Sequence, residues 1–237
     1  MTELLYQTDA YLKEAPARIE EIGEDRIILD RTIFHPRGGG LVSDVGWLCS
    51  EDIAIRVLEV RWENGVPVHV VEETPFIKGQ RIMCILDWPK RYRMMQFHTA
   101  AHVLAALLYE RGARITGNQI TPEKARFDFN LPEGGRTLVE EAIQRANRYF
   151  GKNIPVEVLF ISREEFLKHP DYVKLKHAAP PNVDPIRLIK IGDIDIQADG
   201  GPHVANLREV PKIKLLKFQN KGKENKRVYL GFDDGSL

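Results

Sequence analysis

Cysteine is scarce in this chain. There are two, Cys49 and Cys84, with no Cys-x-x-Cys spacing, which argues against a disulfide framework and predicts free, reduced thiols packed in a core. Net charge is absent too. Lys plus Arg and Asp plus Glu stand at 34 each, so no global field points to nucleic acid and any basic surface must be local. No apolar stretch approaches the roughly 20 residues of a membrane span. Residues 1–9 lack the apolar run of a signal peptide, so a cytoplasmic protein without a membrane partner is expected. No internal repeat, low-complexity segment or heptad seam occurs, and the oligomeric state is left open. An apolar fraction of 43% is enough to bury a core, and 237 residues suit two domains.

The stretch with chemistry in it is Phe97-His98-Thr99-Ala100-Ala101-His102-Val103-Leu104, running on through Ala105, Ala106, Leu107 and Leu108. Ala and Leu favour helix, and neither Gly nor Pro interrupts before Gly112. Positions i and i+4 share a helix face, so both imidazoles can reach one divalent ion. The same spacing also arises by chance on solvated helix faces. A second stretch shifts the balance. Gln197-Ala198-Asp199-Gly200-Gly201-Pro202-His203 offers a carboxylate and a third imidazole, with Gly-Gly-Pro bending the backbone between them. His98, His102, His203 and Asp199 make a four-ligand set suited to zinc.

Residues 1–88 read as β-rich. Strands are expected at 17–22, 26–30, 53–62, 67–72 and 81–87, with Asn64-Gly65 as a hairpin turn. Short strands at close spacing suggest a small β-barrel-like domain. Within it, Thr32-Ile33-Phe34-His35-Pro36-Arg37-Gly38-Gly39-Gly40-Leu41-Val42-Ser43-Asp44-Val45-Gly46 carries three consecutive glycines. These permit positive φ and close approach of a ligand, or simply a surface turn; no Gly-Lys-Ser/Thr follows to make a phosphate loop. From about residue 89 the character changes. Helices are expected at 97–108, 138–150 and 162–168, the last N-capped by Ser162. Strands are expected at 126–129, 156–161, 186–191, 213–218 and 227–231. The class is α+β: the barrel-like domain, 1–88, then a zinc-binding α/β sandwich, 89–237, with helices on one face of an antiparallel sheet.

The motifs resemble a known family. His98 to Leu104 resembles the first metal motif of the editing domains of alanyl- and threonyl-tRNA synthetases and of the free-standing alanyl-tRNA editing proteins of the AlaX group. Asp199-Gly200-Gly201-Pro202-His203-Val204 resembles their second motif, usually Cys-Gly-Gly-Thr-His-Val. The segment from Thr32 to Gly46 resembles the Gly-rich motif of the alanyl branch. Ile115 to Gln119, Arg126 to Phe129, Asn153 to Val156 and the basic run Lys221 to Val228 are also similar to family segments. The likeness runs from about Thr32 to the C-terminus, as in a stand-alone, medium-length member. The chain departs from the pattern at four places: Asp199 for Cys, Pro202 for Thr, Leu41 for Gln and His35 for Tyr.

The resemblance implies zinc-dependent hydrolysis of the ester joining a wrong amino acid, serine chiefly and glycine secondarily, to the acceptor end of tRNA(Ala). It implies that Thr32, before the Gly-rich loop, reads the serine hydroxyl. Gly38, Gly39, Gly40 and Gln197 are expected to line the substrate. Asp199 is either the fourth zinc ligand or a base acting on the attacking water. Lys90, Arg91, Arg93, Lys223 and Arg227 are expected to meet RNA phosphates, the alternative being a solvated surface. His69, His169 and His177 show no partner pattern and read as structural or exposed. Two other functions stay in view: a zinc-stabilised RNA-binding module without activity, and a metal-dependent esterase for another aminoacyl substrate.

Overall fold

The computed structural model describes residues 2–51, 53–131, 135–173, 182–222 and 225–233. The chain falls into two compact units, Met1–Arg93 and Met94–Leu237, the division lying a few residues beyond the expected one.

The first unit is built on strands β1 (Glu3–Leu4), β2 (Glu14–Ile22), β3 (Arg26–Leu29), β4 (Arg31–Thr32), β5 (Gly46–Ser50), β6 (Ile53–Glu63), β7 (Val66–Val71) and β8 (Arg81–Leu86). Six of them close into a barrel in the order β2-β3-β7-β6-β5-β8. Alternation explains the closure. Along β2, Ala15, Ala17 and Ile19 are buried while Glu14, Pro16 and Arg18 face out; along β8, Ile82, Cys84 and Leu86 do the same. Irregular register between Ile19 and Glu21 and between Val57 and Glu59 increases the local twist. Both cysteines are free, and burial pushes the Cys84 thiol up to about 12, as suits a core thiol. Strand β5 was not expected from the sequence; it lies inside the segment read as glycine-rich loop and its aftermath.

In the interior of this unit Arg91 and Asp44 form a buried ion pair. Arg91 Nε lies 2.9 and 3.0 Å from the two Asp44 oxygens, and Nη2 also pairs with Asp44. Arg91 donates as well to the carbonyls of Ile33 (2.5 Å) and Ala10 (3.0 Å), and Asp44 accepts the His35 N–H at 2.5 Å. The pair thus ties the Gly-rich segment to the first turn of helix α1 (Trp88–Tyr109).

The second unit holds β9 (Ile115–Ile120), β10 (Ala125–Phe129), α2 (Gly135–Ala146), β11 (Val156–Ile161), α3 (Arg163–Phe166), β12 (Ile186–Ile191), β13 (Asp195–Ala198), β14 (Ile213–Asn220) and β15 (Lys226–Phe232). One antiparallel sheet was expected and two are present: β14-β15-β10-β9 and β11-β12-β13. The helices do bury apolar faces as the sequence pattern demands. Val139, Ala142, Ile143 and Ala146 form the inner face of α2, and Phe97 of α1 stacks on Phe232 of β15 at 3.8 Å between centroids. Ser162 caps α3, accepting from the Glu165 N–H. No helix among the described residues is long and apolar enough to cross a membrane.

Candidate metal centre

Helix α1 and the bend after β13 bring four side chains together. His98 and His102 lie one turn apart on a helix buried almost throughout its second half, which fixes their direction. Asp199 and His203 flank the bend. One ligand atom from each of the four lies within 4.8 Å of all the others. The Asp199 Oδ2 atom is 3.4 Å from His98 Nε2 and 3.7 Å from His102 Nε2, and its Oδ1 atom is 3.4 Å from His203 Nε2. The three histidines are buried, Asp199 half-buried.

Each imidazole is held from behind through its other nitrogen. His98 Nδ1 donates to the Pro202 carbonyl at 3.2 Å. His203 Nδ1 lies 3.0 Å from Thr99 Oγ1, which also accepts the Val204 N–H. His102 Nδ1 lies 3.2 Å from the carboxylate of Asp195, whose side chain is fully buried, and 2.8 Å from the Gln197 amide. All three Nε2 atoms face the common centre, and where Nδ1 carries the proton, as in His98 toward the Pro202 carbonyl, Nε2 is left free for a metal. A test of fit is His203 Nε2. It is buried with no hydrogen-bond partner in the described residues, the state expected of a nitrogen whose partner is an ion. Three imidazoles and a carboxylate are a donor set suited to zinc.

The bend is shaped for closeness. Arg187, buried in β12, donates to the carbonyls of Asp199 (2.8 Å) and Gly201 (3.0 Å). The Gly201 N–H donates to Asp199 Oδ1 at 2.6 Å. A Cβ on Gly201 would stand 2.8 Å from His98 Cε1 and 3.2 Å from Asp199 Oδ1, so a side chain there would press on both. Charge follows the geometry. Burial alone would raise the Asp199 carboxyl, but His98, His102 and His203 outweigh it and hold it well below the usual carboxylate range. Burial lowers the basicity of His102, yet Asp195 and Asp199 overcome that and push it up to about 9. Burial, then the neighbouring His98 and His102, hold His203 well below the ordinary imidazole range.

The other expected site residues fare differently. Gln197 stands behind the cluster, its amide 2.8 Å from His102 Nδ1 and 2.9 Å from Asp195 Oδ2, so its contact is with a ligand's rear nitrogen. Gly39 and Gly40 have φ of 60° and 88°, and Gly38 and Leu41 exchange hydrogen bonds of 3.2 and 2.9 Å across them, the pattern of a type I′ turn. Thr32 is buried at the end of β4, with its Oγ1 atom 2.8 Å from His69 Nε2. The structure corrects the expectation for Arg91. Its guanidinium is 1% exposed and bonded internally to Asp44 and to the Ile33 and Ala10 carbonyls, so it presents nothing to RNA. Lys90 is exposed and pairs with Asp87 at 3.0 Å, and Arg93 is half-buried. Arg227 pairs across strands with Asp128 at 2.7 and 2.9 Å. Lys223 and His177 lie outside the described residues. His169 stacks on Tyr172, and His69, read as having no partner pattern, is fully buried with a polar partner at each ring nitrogen.

Sequence reasoning missed Asp195, Thr99 and His69. For Asp195 a signal existed: 195, 197 and 199 are alternate positions, and alternation along a strand and its exit puts them on one side.

A two-unit chain with a barrel, an α+β unit and a His₃Asp group on a helix and a bend that could hold a metal ion has the make-up of a synthetase-type editing protein. The comparisons agree. Residues 186–229 match the threonyl and alanyl tRNA synthetase second additional domain, and residues 6–90 match tRNA synthetases class II (A). Alanyl-tRNA editing protein AlaX-M of Saccharolobus solfataricus is 46% identical over 97% of this chain and 98% of its own. The AlaX-M of Methanosarcina barkeri is 37% identical over 99% of this chain and 100% of its own. An alanine–tRNA ligase of Metallosphaera sedula is 35% identical over 92% of this chain and 25% of its own. The chain belongs to the free-standing alanyl-tRNA editing proteins, the AlaX family.

Proposed function

We propose that the chain is a trans-editing deacylase that hydrolyses mischarged tRNA(Ala), seryl-tRNA(Ala) first and glycyl-tRNA(Ala) second, in the cytoplasm and with zinc. The observation that carries this reading is the buried cluster of three imidazoles and a carboxylate, with His203 Nε2 left without a hydrogen-bond partner, in a chain of this family. His98, His102 and His203 would hold the metal, and Asp199 Oδ2, closest to two of the imidazoles, would complete the set. Bound zinc supplies a Lewis acid for the ester carbonyl and stabilises charge developing on it. Asp199, beside the imidazoles, is also the carboxylate that would take the proton of the attacking water if it is not a ligand. Replacing Asp199 by Asn separates the two roles: metal loss assigns it as ligand, and retained metal with lost turnover assigns it as base.

The Gly38–Leu41 turn and Thr32 are assigned to the aminoacyl group. Thr32 would read the serine hydroxyl, because a site that hydrogen-bonds a hydroxyl rejects the analogue without it. Lys90, Arg93, Lys223 and Arg227 are the cations assigned to the acceptor end of the tRNA. The test is hydrolysis of seryl-tRNA(Ala) and alanyl-tRNA(Ala) by the wild type and by a His98→Ala/His102→Ala variant. Fast loss of the seryl ester only, abolished in the variant, supports the reading. No hydrolysis by the zinc-loaded wild type turns it to an RNA-binding module.

A further inference from the structure

The barrel unit contains a buried hydrogen-bond relay whose direction is fixed by its far end. His69 on β7 is fully buried, and its Nδ1 atom lies 3.2 Å from the Ile27 carbonyl oxygen on the neighbouring β3. A carbonyl can only accept, so Nδ1 carries the proton. Desolvation pushes the imidazole pKa down to about 4, so near neutral pH the ring is neutral and Nε2 is a bare lone pair. Phe34 meets the ring edge-on, with centroids 5.5 Å apart at 83°, and limits its rotation.

Thr32 Oγ1 sits 2.8 Å from that lone pair. Its single proton therefore goes to His69. The same oxygen accepts the Phe34 N–H at 3.1 Å. A hydroxyl has one proton and two acceptor lone pairs. The proton and one lone pair are engaged, and one lone pair remains.

We propose that His69 is a positioning residue that sets the polarity of the Thr32 hydroxyl, making it an acceptor and never a donor toward the side chain of the aminoacyl group. This rests on the reading of Thr32 given under Proposed function. The consequence is a specific chemistry of selection. Serine brings an O–H and satisfies the remaining lone pair. Alanine brings a methyl group of nearly the same size that can neither donate nor leave room for water, so the lone pair goes unmet. Without His69 the Thr32 proton is free to turn toward the substrate, and the hydroxyl no longer demands a donor.

The experiment compares kcat/KM for seryl- and alanyl-tRNA(Ala) in the wild type, Thr32→Val, His69→Phe, His69→Gln and the Thr32→Val/His69→Phe double variant. Thr32→Val is expected to lower the seryl-to-alanyl ratio about tenfold or more. His69→Phe should lower it to a similar extent. His69→Gln keeps one N–H for Ile27 and one oxygen for Thr32, and should retain most of the ratio. The double variant should be no worse than Thr32→Val alone, because His69 acts through Thr32. Additive losses, or a wild-type ratio in His69→Phe, overturn the proposal. An unchanged ratio in Thr32→Val overturns the reading of Thr32 as well, and a wild type inert on both esters overturns the activity itself. Imidazole ¹⁵N spectra of the wild type give a check that needs no variant to fold. An Nδ1-protonated His69 near neutral pH is required, and an Nε2-protonated or cationic ring sinks the relay whatever the rates show.

Discussion

Acid should weaken the barrel unit through His69, and by an amount that can be worked out. Burial, partly offset by the Ile27 carbonyl, lowers its pKa from 6.5 to about 4. Above 6.5 the imidazole is neutral in both the folded and the unfolded chain, and its titration contributes no difference. As pH falls from 6.5 toward 4, the unfolded chain takes up a proton that the folded barrel refuses. Stability is lost across that window and the loss levels off below it. At about 1.4 kcal/mol per pH unit, the whole window is worth about 3 kcal/mol. Between about pH 7 and about pH 4.5 the loss should be about 2 kcal/mol. Urea unfolding of the wild type and of His69→Gln at both pH values isolates it, since glutamine does not titrate and all other groups are common to the two proteins. Tryptophan fluorescence is the suitable probe because Trp47, Trp62 and Trp88, the three tryptophans of the chain, all lie in Met1–Arg93. The wild type should lose about 2 kcal/mol more than the variant on acidification. Parallel losses would show that His69 is not held neutral, and would remove the basis for the direction of the Thr32 hydrogen bond.

Three more changes test the rest of the framework. Asp195→Asn keeps the shape but removes the carboxylate behind His102, and chelator competition should show metal affinity about 10- to 100-fold weaker; equal affinity would mean that Gln197 alone holds the ring. Gly201→Ala places a methyl group against His98 and Asp199 and should weaken metal binding about tenfold or more by the same assay, with barrel unfolding unchanged. Arg91→Ala strands Asp44 in the barrel interior and should cost about 3–5 kcal/mol in the fluorescence-detected unfolding of the first unit; a cost below about 1 kcal/mol would mean that the site hydrates and that the pair is a surface feature.

What the sequence made legible was whatever depends on spacing. The i, i+4 pair His98 and His102 and the Asp199–His203 bend could be read because helix period and glycine chemistry dictate local direction, and two such local facts sufficed to suggest one metal site. Strand alternation and the Asn64-Gly65 turn gave most of the barrel for the same reason. What stayed hidden depends on which distant residues meet. Nothing local to His69 says that it faces Thr32, 37 positions away, and a partnerless histidine and a relay histidine look alike until β3 and β7 are paired. Arg91 failed in the opposite direction. Among Lys90, Arg91 and Arg93 it looked like one member of a basic surface cluster, and only the position of Asp44, 47 residues earlier, makes it an internal residue. The two cases share a cause. A helix turn displays successive residues on different faces, so neighbours in a charged run need not share a fate, and a charge can be buried when its counter-charge is buried with it. The same logic explains the resemblance's uneven reach. It picked out the four residues that come together and could hold a metal ion, but not the residues behind them, Asp195 and Thr99, which are fixed by how this chain folds around that group.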